Sequence, residues 1–161
     1  MRYIWMMLFL LSFGLAAAAQ STEEEIQAVI LGIARAADDG EWDLLQQKFA
    51  DHVLMNQTSL MGEDGGRPAE KDVIGDWADL LPRFDSTEHR ITDIEIVAVS
   101  RITARATSRY HAIYKRNGRM WEETGRLSYL LKRERNRWVV TAMDAAPEQN
   151  SGPLTDLLED D

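Results

Sequence analysis

Apolar residues recur at helical spacing near the start of the chain. Ile26, Val29, Ile30 and Ile33 fall at i, i+3, i+4 and i+7 and make one stripe. Ser21 and Thr22 each have a glutamate three residues on, Glu24 and Glu25, a capping-box spacing that satisfies free backbone N–H groups, so a helix is predicted to begin there. Asp38-Asp39-Gly40 ends it, because glycine takes the left-handed cap conformation without steric cost. A second, shorter helix is predicted over Glu41 to Phe49, with Trp42, Leu45 and Phe49 at helical spacing, and Val53-Leu54-Met55-Asn56 reads as a short strand. Gly62 to Arg67 is a polar, glycine-rich loop. Beyond Pro68, the stretch Ala69 to Leu81 sets Ile74, Trp77 and Leu81 on one face, a third helix closed by Pro82.

From His89 to about Met143 the period changes to two, the signature of strands. Runs over His89 to Val99, Ile102 to Lys115, Trp121 to Arg133 and Trp138 to Met143 are joined by short connections, with Asn117-Gly118 as a hairpin turn. In the second run Ile102, Ala104, Ala106, Ser108, Tyr110, Ala112 and Tyr114 share the face expected to point inward. Thr103, Arg105, Thr107, Arg109, His111 and Lys115 share the other, which fits either a polar interface with a second copy, giving a homodimer, or a solvated sheet face. From Ala145 onward the acids Glu148, Asp156, Glu159, Asp160 and Asp161, with Pro147, Gly152 and Pro153, read as a solvated acidic tail over residues 146–161. Trp42, Trp77, Trp121 and Trp138 each sit on an apolar face and are expected in the core.

The first nineteen residues stand outside this pattern. Met1-Arg2 is a short positive start, Tyr3 to Leu15 is almost unbroken apolar sequence, and Ala17-Ala18-Ala19 supplies the small residues a signal peptidase reads. Residues 1–19 are therefore expected to be a cleaved signal peptide, leaving an exported protein, periplasmic or secreted, with no membrane span after cleavage. The whole chain of 161 residues carries 18 bases and 27 acids, a net charge of −9. That balance argues against nucleic acid as a partner, since phosphate-tracking proteins cluster Lys and Arg. With no cysteine, thiolate chemistry, disulfides and zinc–sulfur sites are excluded. The sequence has no phosphate-cradling Gly-rich loop, no Gly-x-Ser-x-Gly elbow and no His-Glu-x-x-His helix, so no cofactor and no metal are expected. Asn56-Gln57-Thr58 matches a glycosylation acceptor, a pattern short enough to arise by chance.

Three helices followed by a meander of strands imply an α+β domain in which a strongly bent antiparallel sheet wraps around the helices as a cone. The wording Ala36-Ala37-Asp38-Asp39-Gly40-Glu41-Trp42-Asp43, then Phe49-Ala50-Asp51, His89-Arg90-Ile91-Thr92-Asp93 and the closing Trp138-Val139-Val140 resembles the nuclear transport factor 2-like superfamily. Within it the chain is similar to the SnoaL-like branch, over residues 20–145. The resemblance implies a cone with a pocket but no activity of its own, because the superfamily hosts enzymes and binding modules alike.

In the branch that includes scytalone dehydratase and hexachlorocyclohexane dehydrochlorinase, an Asp at the end of the first helix pairs with a His opening a sheet strand, and Asp38 and His89 stand at the matching positions. An imidazole is a suitable base for a carbon-bound proton, and a carboxylate beside it fixes the tautomer and stabilises the imidazolium. Inward-facing Tyr110 could donate to a leaving group or carbonyl oxygen, and Tyr129, Asn56 and Asp93 complete the candidate pocket polar groups. Asp93 shares a predicted strand face with His89, about 13 Å along the strand, too far for a direct pair. His52, following Asp51 at a helix-to-strand corner, reads as an exposed turn residue.

Departures from related patterns narrow the chemistry. The ketosteroid isomerase pattern needs a carboxylate base where this chain has Asn56 and Gln57, and an oxyanion tyrosine where it has Ile33. The dehydrochlorinase pattern has an arginine on the last strand, where Met143 falls. Two functions stay open: a cofactor-independent lyase or isomerase acting on a small apolar substrate through Asp38 and His89, or a non-catalytic module that binds a small ligand or another subunit.

Overall fold

The structure, a computed structural model, describes residues 4–56, 69–70 and 73–159, and the side chains of 4–20, 56, 69–70 and 73 lie outside that description. Helix α1 spans Ile4–Asp38. It runs through Ser21 and Thr22, so the capping-box start expected there is not a helix terminus in this chain: α-helical hydrogen bonding continues from the apolar segment upstream. Downstream, Ile26, Ile30, Ile33, Ala36 and Ala37 are buried along one side of α1.

The end of α1 is closed by a Schellman arrangement. The Glu41 N–H donates to the Ala36 carbonyl at 2.8 Å and the Gly40 N–H to the Ala37 carbonyl at 3.3 Å, with Gly40 at φ +66°. That closure fixes Asp38 in the last turn. Helix α2 covers only Trp42–Gln46, and Phe49, placed in this helix by its spacing, instead opens strand β1, Phe49–Asn56. Strand β2 (Ala69–Glu70) takes the start of the third predicted helix, which begins later, as α3 over Val73–Leu80 with a 3-10 turn at Leu81–Arg83.

The sheet has six strands in the order β2-β1-β6-β5-β4-β3, with β3 at Ser86–Val99, β4 at Thr103–Arg116, β5 at Arg119–Glu134 and β6 at Arg137–Asn150. It is not wholly antiparallel: β1 runs parallel to β6, with Met55 opposite Met143. The two long hairpins turn through residues at positive φ. Asn117 and Gly118 form the predicted turn, and Arg135 and Asn136 form a second that no glycine announces. Alternation holds through β4, where Ala104, Ala106, Ser108, Tyr110, Ala112 and Tyr114 are all buried, while Ile102, just outside the strand, is exposed. The alanines along this strand leave space between sheet and α1. Trp77, Trp121 and Trp138 are buried and Trp42 is partly so.

Residues 146–159 are not a solvated tail. Strand β6 continues to Asn150, and its Pro147 stands opposite Gly125 beside the register shift between Thr124 and Gly125, a bulge position that tolerates proline. A short helix α4, Thr155–Leu158, then buries Leu154 and Leu157. Trp121 Nε1 donates to the Gly152 carbonyl at 2.7 Å, and Arg116 and Arg119 donate to carbonyls of Leu158 and Asp156, the favourable placement of cations near a helix C-terminus. Burying two leucines and tying down the backbone outweigh the acidic composition. Among the described residues no helix is long and apolar enough to cross a membrane.

Candidate functional site

Asp38, delivered by the capped end of α1, meets the first turn of residues of β3. Three donors converge on its carboxylate: the His89 backbone N–H at 2.8 Å on Oδ2, the Thr87 hydroxyl at 3.0 Å on Oδ1, and His89 Nδ1 at 2.6 Å, also on Oδ1. Both side chains of the pair are 20% exposed. Because an ionised carboxylate only accepts, the proton in that contact sits on Nδ1, and Nε2 of the neutral ring is an acceptor. It receives a hydrogen bond from the Tyr114 hydroxyl at 2.8 Å. Burial is the largest influence on the Asp38 carboxyl and works against its charge, but the His89 hydrogen bond and charge, the His89 amide and the Thr87 hydroxyl together hold its pKa below the ordinary value.

Tyr114 has almost no freedom. It is 1% exposed, with its ring packed against Phe84 (centroids 4.9 Å apart), Trp121 (5.4 Å) and edge-on to His89 (5.4 Å). Burial first, then the charges of Glu123 and Asp38, push its pKa well above the ordinary phenol range, so it stays a neutral donor.

His89 and Tyr114 face an apolar cavity of about 70 Å³ between α1 and the sheet. Ile30 and Ile33 from α1, Trp77 from α3, Leu127 from β5 and Met143 from β6 supply its apolar walls, and His89, Tyr110, Tyr114, Glu123 and Tyr129 its polar groups. Ile33 and Met143 thus bring side chains with no hydrogen-bond donor to the two positions where related patterns have a tyrosine and an arginine. Tyr110 does line the cavity as expected, but its hydroxyl is committed to Glu123 Oε1 at 2.6 Å, and burial followed by that carboxylate raises its pKa strongly. Tyr129 also lines the cavity; its hydroxyl lies 3.3 Å from Ser108 Oγ, and burial takes its pKa up to about 12.

One expected pocket residue falls elsewhere. Asp93 is exposed at φ +51° in a bulge between Thr92 and Glu95. The bulge inserts an extra residue, so the inward face of β3 passes from His89 and Ile91 to Ile94 and Ile96 and leaves Asp93 outside. Asn56 ends β1, and its side chain is outside the described residues, as are Gln57 and Thr58. His52 is exposed, on β1 rather than in a turn. On the outer sheet face His111 Nε2 lies 3.3 Å from Glu122, and Glu148 bridges Arg109 (2.7 Å) and Arg126 (2.9 Å). Among the described residues no group of three or more His, Asp or Glu is arranged to hold a metal ion.

Three site residues escaped the sequence reading. Thr87 belongs to β3 only because the strand begins at Ser86, earlier than its alternation suggests. Tyr114 was placed on the inward face with no role. Glu123 had a legible signal: it is a charged residue in the inward series Trp121, Gly125, Leu127, Tyr129 of β5, and it is 3% exposed.

A family model for the SnoaL-like domain matches residues 19–144. The chain belongs to the SnoaL-like domain family. No curated protein matches the sequence of this SnoaL-like chain. Among solved structures it is similar to the Kfla4162 protein from Kribbella flavida, at 18% identity and TM-score 0.75, over 83% of this chain and 95% of that one. It is also similar to a protein from Novosphingobium aromaticivorans named as a candidate scytalone dehydratase (13% identity, TM-score 0.68, 84% and 90% covered). A third is the hexachlorocyclohexane dehydrochlorinase LinA-type3 from Novosphingobium barchaimii (11%, 0.65, 83% and 90%). At these identities the likeness establishes the α+β, nuclear transport factor 2-like fold of the SnoaL-like domain.

Proposed function

We propose that this SnoaL-like protein is exported and acts as a cofactor-independent lyase or isomerase on a small, largely apolar molecule, with His89 as general base and Asp38 as the group that orients it. The observation that carries the reading is the 2.6 Å contact between His89 Nδ1 and Asp38 Oδ1 at the wall of an apolar cavity. Dehydratase- and dehydrochlorinase-named neighbours on the same fold are consistent with elimination chemistry. Export is supported by the positive start, the apolar run and Ala17 to Ala19; terminal sequencing of protein recovered from outside the cytoplasm should begin at Gln20, and an intact Met1 terminus there would overturn it.

The geometry suggests how the proton moves. Tyr114 is packed on both faces and its hydroxyl occupies Nε2, so a proton leaving a substrate carbon passes to the Tyr114 oxygen while the Tyr114 proton passes to Nε2. The resulting imidazolium is stabilised by Asp38. Run in reverse, the same relay delivers that proton to a departing hydroxyl, so the carbon–hydrogen and carbon–oxygen bonds break, a carbon–carbon double bond forms and water leaves. The test is a panel of small β-hydroxy carbonyl compounds followed by the absorbance of the conjugated product. Wild type should turn over at least one, and folded His89→Gln should lose about 10²-fold or more of that rate. Equal rates in the two proteins would sink the reading.

The same Tyr114 contact favours a second reading, since a hydrogen bond on Nε2 is also what a purely structural histidine would have. On that reading the cavity binds a small ligand without turnover, and no compound in the panel reacts while some still bind.

A further inference from the structure

The end of the sheet away from Asp38 differs in charge from the rest of the chain. Strand β3 meets Asp38 at Thr87 and His89 and ends at Val99, and residues 100–102 connect it to β4. The Arg133 N–H donates to the Ile102 carbonyl at 2.9 Å and Thr103 stands opposite Lys132, so this connection lies beside the β5–β6 turn at Arg135 and Asn136. Residues 97–105 and 130–138 hold six of the 18 bases, Arg101, Arg105, Lys132, Arg133, Arg135 and Arg137, and one of the 27 acids, Glu134. A chain of net charge −9 thus presents a basic cluster at this end. Glu134 pairs with Lys132 at 3.3 Å, and Glu25 of α1 with Arg133 at 3.5 Å. Arg101, Arg105, Arg135 and Arg137 are exposed and have no ion-pair partner among the described residues.

Apolar side chains project from the same end. Ile102 is 63% exposed and Val97 60%, and Val99 is exposed as well. Val97 is the extra residue in the register shift between Ile96 and Ala98, so a bulge turns it out of the ladder. Scattered apolar residues are ordinary on a surface, but three at one hairpin end, among unpaired arginines, form a patch. An arginine lays its apolar stem along hydrocarbon while its guanidinium stays in water and takes phosphate with two parallel hydrogen bonds. A soluble polyanion would satisfy those charges but has no apolar layer for Ile102 and Val97, whereas a bilayer with anionic headgroups offers both. We propose that this end of the sheet is a membrane-docking surface, seated peripherally on anionic lipid with Ile102 and Val97 in the interface and the arginines on headgroup phosphates. The course of α1 fits this orientation. It passes Arg133 at Glu25 and runs on upstream to Ile4, away from Asp38, so the apolar start of the chain leaves the domain at this same end.

The surface is separate from the Asp38–His89 site, so its test involves no turnover. The chain has no cysteine, and a single introduced one therefore carries an environment-sensitive fluorophore at a known place. Ile102→Cys and, as a control at the other end of β4, Lys115→Cys are labelled and mixed with vesicles of phosphatidylcholine alone or with about one-third phosphatidylglycerol. At about 0.1 M salt the label at 102 should shift to the blue on the anionic vesicles, and the label at 115 should not move. Affinity for the anionic vesicles should fall about tenfold or more in Arg101→Glu but less than about twofold in Lys115→Glu, which changes the net charge by the same amount. Raising the salt to about 1 M should release the protein. Should Arg101→Glu fail to fold, Arg137→Glu serves in its place, with the same loss expected. The proposal is overturned by an unshifted label at 102, by equal binding to neutral and anionic vesicles, by equal losses in the two charge variants, or by an RNA duplex bound more tightly than the anionic vesicles, which would make the cluster a nucleic-acid site.

Discussion

Gly125→Ala is expected to destabilise the protein by about 3 kcal/mol, the upper end of the usual cost of overpacking. A Cβ at this position would stand 2.5 Å from the Ala146 carbonyl oxygen, 2.8 Å from Tyr110 Cε1 and 2.9 Å from Pro147 Cα. Two of those three neighbours are backbone of β6, which cannot rotate aside, and the third is a ring held by its bond to Glu123. Relief must therefore come from opening the β5–β6 ladder at its bulge between Thr124 and Gly125, or from expelling Tyr110 from the cavity. Chemical denaturation should show a lower midpoint with an unchanged slope. A loss below about 0.5 kcal/mol, within the ordinary scatter of surface substitutions, would mean that the close approach is not as described.

Asp38→Asn has the second largest expected effect, about 1–3 kcal/mol, since it removes charge from an acceptor that serves three donors. An amide has one oxygen. Whichever way it is turned, its NH₂ group faces either the His89 backbone N–H or the His89–Thr87 side. The pH dependence follows from the direction of the Asp38 shift. Its native pKa is below the ordinary 3.8, so its contribution is fully present above the unfolded value and is lost as pH falls through the lowered native one. The stability gap between wild type and Asp38→Asn should thus close progressively as pH falls below about pH 4. A gap that widens below about pH 4 would contradict this sign.

What could be read from the chain was what local periodicity encodes. The α1 stripe, its stop at Gly40, the Asn117-Gly118 turn and the inward face of β4 each depend on residues within one element, and each is found in the structure. Asp38 and His89 could be paired because the resemblance to the scytalone dehydratase and dehydrochlorinase branch implies such a pair where one residue ends the first helix and the other opens a strand. The losses came where a distant partner decides. Phe49 has helical spacing but joins β1 because β6 offers it a parallel ladder, with Val140 opposite. The acidic composition after Ala145 was outweighed by Leu154 and Leu157 finding a core that only the folded sheet provides. Asp93 was displaced by a single inserted residue in the pairing of β3 with β4, which shifts the face of everything beyond it. Glu123 was visible as a charge out of pattern, but the Tyr110 hydroxyl that donates to it belongs to another strand.

The most direct test of the site is the ring-nitrogen NMR spectrum of His89 in wild type and in Asp38→Asn, at a pH where the ring is neutral. With Asp38 accepting from Nδ1 and Tyr114 donating to Nε2, wild type should show a protonated Nδ1 and a bare, acceptor-type Nε2. In Asp38→Asn the amide NH₂ can donate to Nδ1, and the proton should move to Nε2. A wild-type ring already protonated on Nε2 would mean that Asp38 does not set the state of His89 and would remove the basis for the proposed chemistry.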